Sequence, residues 1–191
     1  MPPKAKVNKE MITEAAVAIV KEQGHEMINA RTIAERLGCS TQPVLYHFKT
    51  IDEIREAVYK TVEDYHGSYI MPKGDRGLDP LLELGLNYIR FGHEEKNFFR
   101  FLFQTNTFAG LDSNDLMSDE GLTEVLSMVA GESGCSMEDA KEVFFNLFVS
   151  AHGIASLLAN NSMEYEEDHF RRVLENCFDS QMRGGDLNEQ G

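Results

Sequence analysis

The sequence contains no tryptophan, five prolines and three cysteines in 191 residues. So little proline, with no glycine period, excludes collagen-like and proline-rich low-complexity classes. Cys39, Cys135 and Cys177 are odd in number, far apart and without a Cys-x-x-Cys pair. Neither a disulfide framework nor a structural zinc site is expected from them. Long apolar runs are also missing. Residues 144–159 form the longest, and Asn146, Ser150, His152 and Gly153 interrupt it. It falls short of the ~20 uninterrupted residues of a membrane span, so no membrane partner is expected. Near the N-terminus, Lys4, Lys6 and Lys9 precede only a short apolar run at 15–20, with Glu10 and Glu14 in the way. That is not the pattern of a signal peptide, and a cytoplasmic location is expected.

Positive charge is scarce too: 18 Lys and Arg stand against 32 Asp and Glu, a net charge of −14. The imbalance is uneven. Residues 1–50 hold seven basic and five acidic side chains, a net +2, which leaves −16 for the remainder. Most of such a molecule repels a polyanion, so any nucleic acid must approach through the N-terminal end. With 42% hydrophobic and 26% charged residues the chain is an ordinary globular one, long enough for one large domain or a small and a medium one.

Strand patterns are nearly absent, whereas apolar stripes of period 3.6 recur along the chain, which predicts an all-α fold. The first stripe is Ile12, Ala15, Ala16, Ile19 and Val20, stopped by Gly24. Asn29 caps a short helix with Ile33, Ala34 and Leu37, and Gly38 ends it. A second short helix near 41–48 carries Val44 and Phe48, and Asp52 opens a longer one with Ile54, Val58, Thr61 and Val62. Two glycines and a proline in 71–77 mark a break. Helices are expected beyond it near 79–92, 95–108, 114–130, 136–160 and 166–182. The expected domain map is a helix-turn-helix domain at 1–50, a connecting helix at 51–70, a ligand-binding and dimerisation domain at 71–183, and a disordered tail at 184–191.

The stretch 29–49 carries the functional signal. Two helices too short to persist alone flank a three-residue turn, Gly38-Cys39-Ser40, as in a helix-turn-helix. With Ile33, Leu37, Val44 and Phe48 facing inward, Thr41, Gln42, Tyr46 and Lys49 lie on the outer face of the second helix. Gln can bond adenine in two places, Thr offers a hydroxyl and a methyl, and Lys and Tyr reach phosphate oxygens. Arg31, in the first turn of the preceding helix, can reach a guanine or phosphate at the same groove. Lys4, Lys6 and Lys9 can follow the neighbouring backbone. Pro43 disfavours a helical Gln42, so the second helix is expected to start a residue or two after 41.

The run from Arg31 to Lys49, with its Ile33-Ala34 pair, Gly-x-Ser turn and His47-Phe48-Lys49 close, resembles the DNA-binding segment of the tetracycline-repressor (TetR) family. The likeness covers roughly residues 8–60. It implies an all-helical homodimer whose N-terminal domain, a three-helix helix-turn-helix, reads palindromic double-stranded DNA, and whose larger C-terminal domain binds a small-molecule effector that releases it. On this likeness Arg31, Thr41, Gln42, His47 and Lys49 match positions where the family contacts bases or phosphates; with Thr32, Ser40 and Tyr46 beside them they make up the expected DNA-contacting residues. Two departures stand out: Val44-Leu45 where the family carries a Leu-Tyr pair, and Ile51 where a Lys commonly follows the turn. Tyr46 carries a hydroxyl one position later, about 100° further round the helix. The segment 148–155 is similar to a variant TetR C-terminal domain with Trp, His and Gly at this spacing, Phe148 replacing the Trp.

Eleven of the twelve phenylalanines follow residue 90. Such density can line an apolar cavity with a few polar groups to orient a guest. The expected ligand contacts are Tyr88, Phe91, Phe103, Asn106, Phe145 and His152, with Asn146 as a further polar candidate; for any single Phe, ordinary core is the favoured reading. Helix 136–160 is apolar on more than one side and the last helix offers Phe170, Val173, Leu174, Cys177 and Phe178, a combination suited to a four-helix dimer interface. The alternative class is a metal-dependent helical-bundle enzyme, since Glu-x-x-His occurs at Glu22/His25, Glu63/His66 and Glu166/His169. None of the three lies mid-helix among apolar neighbours, and no catalytic residue, cofactor or metal is expected. A DNA-binding regulator controlled by a protein partner rather than a ligand is the third reading.

Overall fold

The computed structural model describes residues 7–105 and 136–188, with positions 123, 126, 127, 130 and 131 between them, and side chains as far as residue 179. Every regular element among the described residues is helical. The chain clusters into two units, described within these limits by 7–68 with 95–105 and by 69–94 with 136–188.

In the first unit, α1 (Lys9–Gln23) starts where the Asn8 side chain accepts the Met11 N–H at 2.8 Å. It stops at Gly24, whose φ of 95° suits a residue without Cβ. The expected stripe of Ile12, Ala15, Ala16, Ile19 and Val20 is its buried face. A single 3₁₀ turn at His25–Met27 leads to α2 (Ala30–Leu37), then α3 (Thr41–His47) and α4 (Ile51–Ile70). Ile28, Ile33, Val44, Phe48, Ile54, Val58 and Val62 are all buried. Thr61, expected on the inner stripe of α4, is exposed and donates its hydroxyl to the Ala57 carbonyl. Three residues before Asp64, it lies at the edge of the stripe, where a polar side chain is easily turned to water.

A contiguous domain map does not anticipate α6 (Lys96–Phe103) in this unit. Its Phe98, Phe99, Phe101 and Leu102 are buried. Phe101 meets the rings of His25 and Tyr59, and Asn97 donates to the Lys21 carbonyl at 2.9 Å. Glu95, just before α6, accepts from Lys21 at 2.6 Å and from the Tyr65 hydroxyl at 3.0 Å.

The second unit contains α5 (Pro80–Glu94), α7 (Met137–Ala159) and α8 (Glu167–Asn188). Ser136 caps α7, with Asp139 closing the reciprocal bond. Small side chains let α7 approach α5 closely: a Cβ built on Gly92 lies 2.8 Å from the Ala155 Cβ and carbonyl oxygen. Length and hydropathy alone would let Met137–Ala159 cross a membrane. Here it packs on α5 and α8 through Ala140, Val143, Phe144, Ala151, Ala155 and Leu158, the arrangement of a core helix. Helix α8 continues to Asn188, past the limit near 182 and into the expected tail; the adjacent glycines at 184 and 185, poor helix formers, hide the last turns from a reading of the sequence.

Two carboxylates fasten the segment between α4 and α5. Glu83, 2% exposed, accepts the Lys73 and Gly74 amides at 3.1 and 3.3 Å. Glu167 accepts from Arg76, from Arg90 at 2.7 Å and from the Tyr165 hydroxyl at 2.7 Å. Partial burial opposes the charged form of Glu167, but hydrogen bonds from Arg90, Tyr165 and Arg76 outweigh it and hold the carboxyl at about 2.

Replacing Gly92 by Ala forces α5 and α7 apart and is expected to cost about 1–3 kcal/mol, read as a fall of several degrees in Tm. An unchanged Tm would contradict the close crossing. Because the folded-state pKa of Glu167 is depressed, its stabilisation is complete above the ordinary carboxyl value and disappears as pH falls towards about 2. Glu167→Gln is therefore expected to lower stability by about 1–2 kcal/mol at pH 7, after allowance for solvent screening. In denaturant titrations across pH, that difference should close on acidification.

Candidate functional site

The turn between α2 and α3 is fixed by local hydrogen bonding. Asn29 accepts the Arg31 and Thr32 amides, and the Thr32 hydroxyl oxygen accepts the Asn29 N–H at 3.3 Å, a closed capping box. At the far end Gly38 sits at φ 63°, its N–H bonding to the Glu35 carbonyl while Cys39 N–H reaches Ala34 at 3.0 Å. That pairing is the Schellman closure, which needs a left-handed residue where glycine stands. Ser40 then opens α3 in extended conformation, but its side chain caps no amide. The third helical residue, whose N–H an N-cap side chain commonly takes, is Pro43.

Helix α3 begins at Thr41, correcting the later start expected from Pro43. In a first turn the amides have no partner within the helix, so proline forfeits nothing there. Val44 is fully buried and Phe48, just past the helix, is 5% exposed. Those two anchors turn the opposite face outward: Thr41, Gln42 and Tyr46 are exposed, Tyr46 at 72%, and Lys49 follows them. The Lys49 ammonium donates to the Tyr46 carbonyl at 3.3 Å and lies 5.7 Å from its ring centre. Arg31 is exposed and pairs with Glu35 at 2.9 Å, while Arg36 turns away to Glu22. Lys9 lies over the Phe48 ring; Lys4 and Lys6 fall outside the described residues.

Of the eight sequence-derived contact positions, Arg31, Ser40, Thr41, Gln42, Tyr46 and Lys49 therefore share exposed surface around α3. The other two are half-buried and hydrogen-bonded within the unit. The Thr32 hydroxyl donates to the Met27 carbonyl at 2.7 Å, and the His47 ring donates from Nε2 to the Val7 carbonyl at 2.9 Å. The residue that sequence reasoning missed is Leu45, 51% exposed on the same face. Its spacing of four from both Thr41 and Lys49 was the available signal.

The second unit contains two adjoining cavities. One, of about 30 Å³, is bounded by α5, α7 and α8 and includes Tyr88, Phe144 and Phe148 in its wall. The other, of about 250 Å³, opens among Gly77, Leu78, Arg171, Glu175 and Phe178. Leu81, Leu82, Leu147 and Leu174 line both. The smaller holds little more than water, while the larger approaches the size of ligand pockets. Behind the smaller, the Tyr88 hydroxyl meets His152 Nδ1 at 2.8 Å. Burial pushes the Tyr88 phenol well above its ordinary value and lowers His152, so the contact joins two uncharged groups at neutral pH.

The structure thus brings together Tyr88 and His152 among the expected ligand contacts. Phe91 is fully buried against Tyr69, and Phe145 is half-buried and lines neither cavity. Phe103 lies in the other unit against Phe99 and His66, and Asn106 falls outside the described residues. Opposite the cavity wall, α5 grips the end of α4: Glu94 accepts the Tyr69 hydroxyl at 2.5 Å, and Asn87 donates to the Ile70 carbonyl at 3.3 Å.

Among the described residues, no three His, Cys, Asp or Glu side chains gather as metal ligands would. Glu22 is paired with Arg36, His66 packs on Phe103 with its pKa pushed down to about 4 by burial, and His169 lies beside Phe170. Cys177 receives a weak hydrogen bond from Ser150, Cys39 is half-buried, and Cys135 is outside the described residues.

No family model and no curated protein matches the sequence. Solved structures do match. The chain is similar to a TetR-like transcriptional regulator from Rhodococcus sp. RHA1, with a TM-score of 0.62 and 17% identity over 96% of this chain and 97% of that one. It is similar to a TetR-family transcriptional regulator protein from Vibrio parahaemolyticus, with a TM-score of 0.62 and 15% identity over 89% and 96%. A TetR protein from Acinetobacter baumannii AYE in complex with minocycline gives a TM-score of 0.56 and 16% identity over 95% and 98%. Across nearly whole chains, and independently of close sequence likeness, the protein has the fold of the TetR-like transcriptional regulators.

Proposed function

We propose that this chain is a homodimeric transcriptional regulator, a repressor, that reads a palindromic operator through α3 and is released by a small molecule bound in its second unit. The observation that carries the reading is the exposed face of α3: hydrogen-bonding side chains on a short helix whose other face is anchored by Val44 and Phe48. From Arg36 to Ile51 there is no acidic residue, in a chain of net charge −14. A helix of this kind fits the major groove, where Gln42 and Thr41 meet base edges and Lys49, Tyr46 and Arg31 meet phosphates or guanine. The exposed Arg31–Glu35 pair is of the kind that contributes little to stability, so a phosphate can take over Arg31 at small cost.

Dimerisation is supported by an uncovered stripe on α7. Val149 is 52% and Leu157 45% exposed, at i and i+8, and Gly153 between them has nothing within 4 Å of a built Cβ. A symmetric partner laying the same stripe against it covers both, and two reading helices about 34 Å apart address both halves of a palindrome. For the effector, the larger cavity supplies volume and the Tyr88–His152 pair supplies polarity. Rotation of the four shared leucines joins the two chambers. Helix α5 then relates ligand to DNA, because one face lines the cavities while Glu94 and Asn87 hold the end of α4. A coupling of ~1–3 kcal/mol suffices for release.

Selection of duplexes from a random pool should enrich a two-fold symmetric site, and affinity for it should fall steeply with salt. Gln42→Ala or Arg31→Ala should weaken specific binding by ~1–3 kcal/mol per half-site without lowering Tm. Operator affinity unchanged in both variants would remove α3 from the interface. For compounds that release the wild type from DNA, Leu82→Phe should raise the concentration required at least tenfold while leaving DNA affinity intact, measured by competition titration. Equal release by both proteins would exclude the cavity as the effector site.

A further inference from the structure

Leu45 has no role in the fold that explains its place. It points away from the core that Val44 and Phe48 enter, and it is 51% exposed. Single exposed leucines are common on protein surfaces. This one, however, lies one helical turn from Thr41 on the outer face of α3, beside Gln42 and Tyr46, with Lys49 just past the helix end. An isobutyl group has nothing to offer phosphate oxygens, and laid against base-edge donors and acceptors it strips them of water without replacing a hydrogen bond. Only one group in the major groove suits it, the C5 methyl of thymine, which also marks the orientation of the A·T pair.

Resting on the reading of α3 as a major-groove helix, we propose that Leu45 is a specificity-determining residue that packs on a thymine methyl, so that each operator half-site carries a T·A pair at the position under the centre of α3. Thr41, one turn before it, presents a second methyl along the same row, which favours an adjoining thymine over a guanine there. Tyr46 and Lys49, with hydroxyl and ammonium at their ends, keep the phosphate contacts at the edge of the face.

Replacing thymine by deoxyuridine deletes the methyl and leaves every hydrogen bond of the base pair intact. In the selected operator, this exchange made one thymine at a time should weaken wild-type binding about fourfold at one position per half-site, the worth of one buried methyl group. Leu45→Ala should bind the thymine and deoxyuridine duplexes equally, while its Tm stays at the wild-type value because the side chain is exposed. A deoxyuridine penalty undiminished in Leu45→Ala would assign the methyl to another residue and overturn the proposal. So would an operator in which no position responds to the exchange. If selection enriches no duplex at all, the reading of α3 falls and this proposal with it; an enriched operator insensitive to the methyl overturns the Leu45 assignment alone.

Discussion

The N-terminal unit depends on the burial of Val44 and Phe48. A helix of seven residues cannot sustain itself in water, and α3 has no side-chain N-cap bond. What holds it is the insertion of these two side chains into the core that Ile33 and the other buried residues of the unit build, worth roughly 1.5–3 kcal/mol each. Because Val44 and Phe48 are spaced i, i+4, they also fix the helix in rotation. The outward direction of residues 41, 42, 45, 46 and 49 is a consequence of that single constraint. The Schellman turn at Gly38 fixes where α3 starts, and the packing fixes which way it faces.

A comparable division of labour runs along α5. Its residues at 81, 82, 85 and 88 border cavities, while Glu83, Asn87 and Glu94 hold backbone and side-chain groups of 69–74. A helix gripped on one face and adjustable on the other can translate a change in what it borders into a change in what it grips. The close crossing at Gly92 and Ala155 favours sliding or rotation, since separation from α7 would forfeit that packing.

Local signals were legible in the sequence wherever the physics is local. Asn29 and Gly38 act through hydrogen bonds within four residues, and the buried stripe of α1 follows from helical period alone. The place of α6 was not legible, because its Phe-rich face says that it must be buried and nothing about which unit buries it. The same gap separates Tyr88, which borders a cavity, from Phe91, which is equally buried and borders none. Pro43 misled for a different reason. Its effect on the preceding residue is a general preference, and it is overridden at a helix start where the amide has no bond to lose. Leu45 is invisible to a criterion of hydrogen-bonding capacity, because its side chain has no donor or acceptor.

Charge places a further restriction on how such a molecule can meet DNA. The chain beyond residue 50 carries a net −16, so the field of the whole protein opposes approach of a polyanion from most directions. Arg31, Lys49 and Lys9 supply only short-range attraction, within a Debye length of roughly 8 Å at physiological salt. On the proposed reading, encounter is productive only when α3 leads, and long-range steering contributes less than it does for a uniformly basic protein. Under those conditions nonspecific affinity is low, and discrimination rests on short contacts at base edges. The proposed role of Leu45 is consistent with that balance: a half-exposed leucine would add nothing to binding at random sequence and would contribute only where a partner methyl is present.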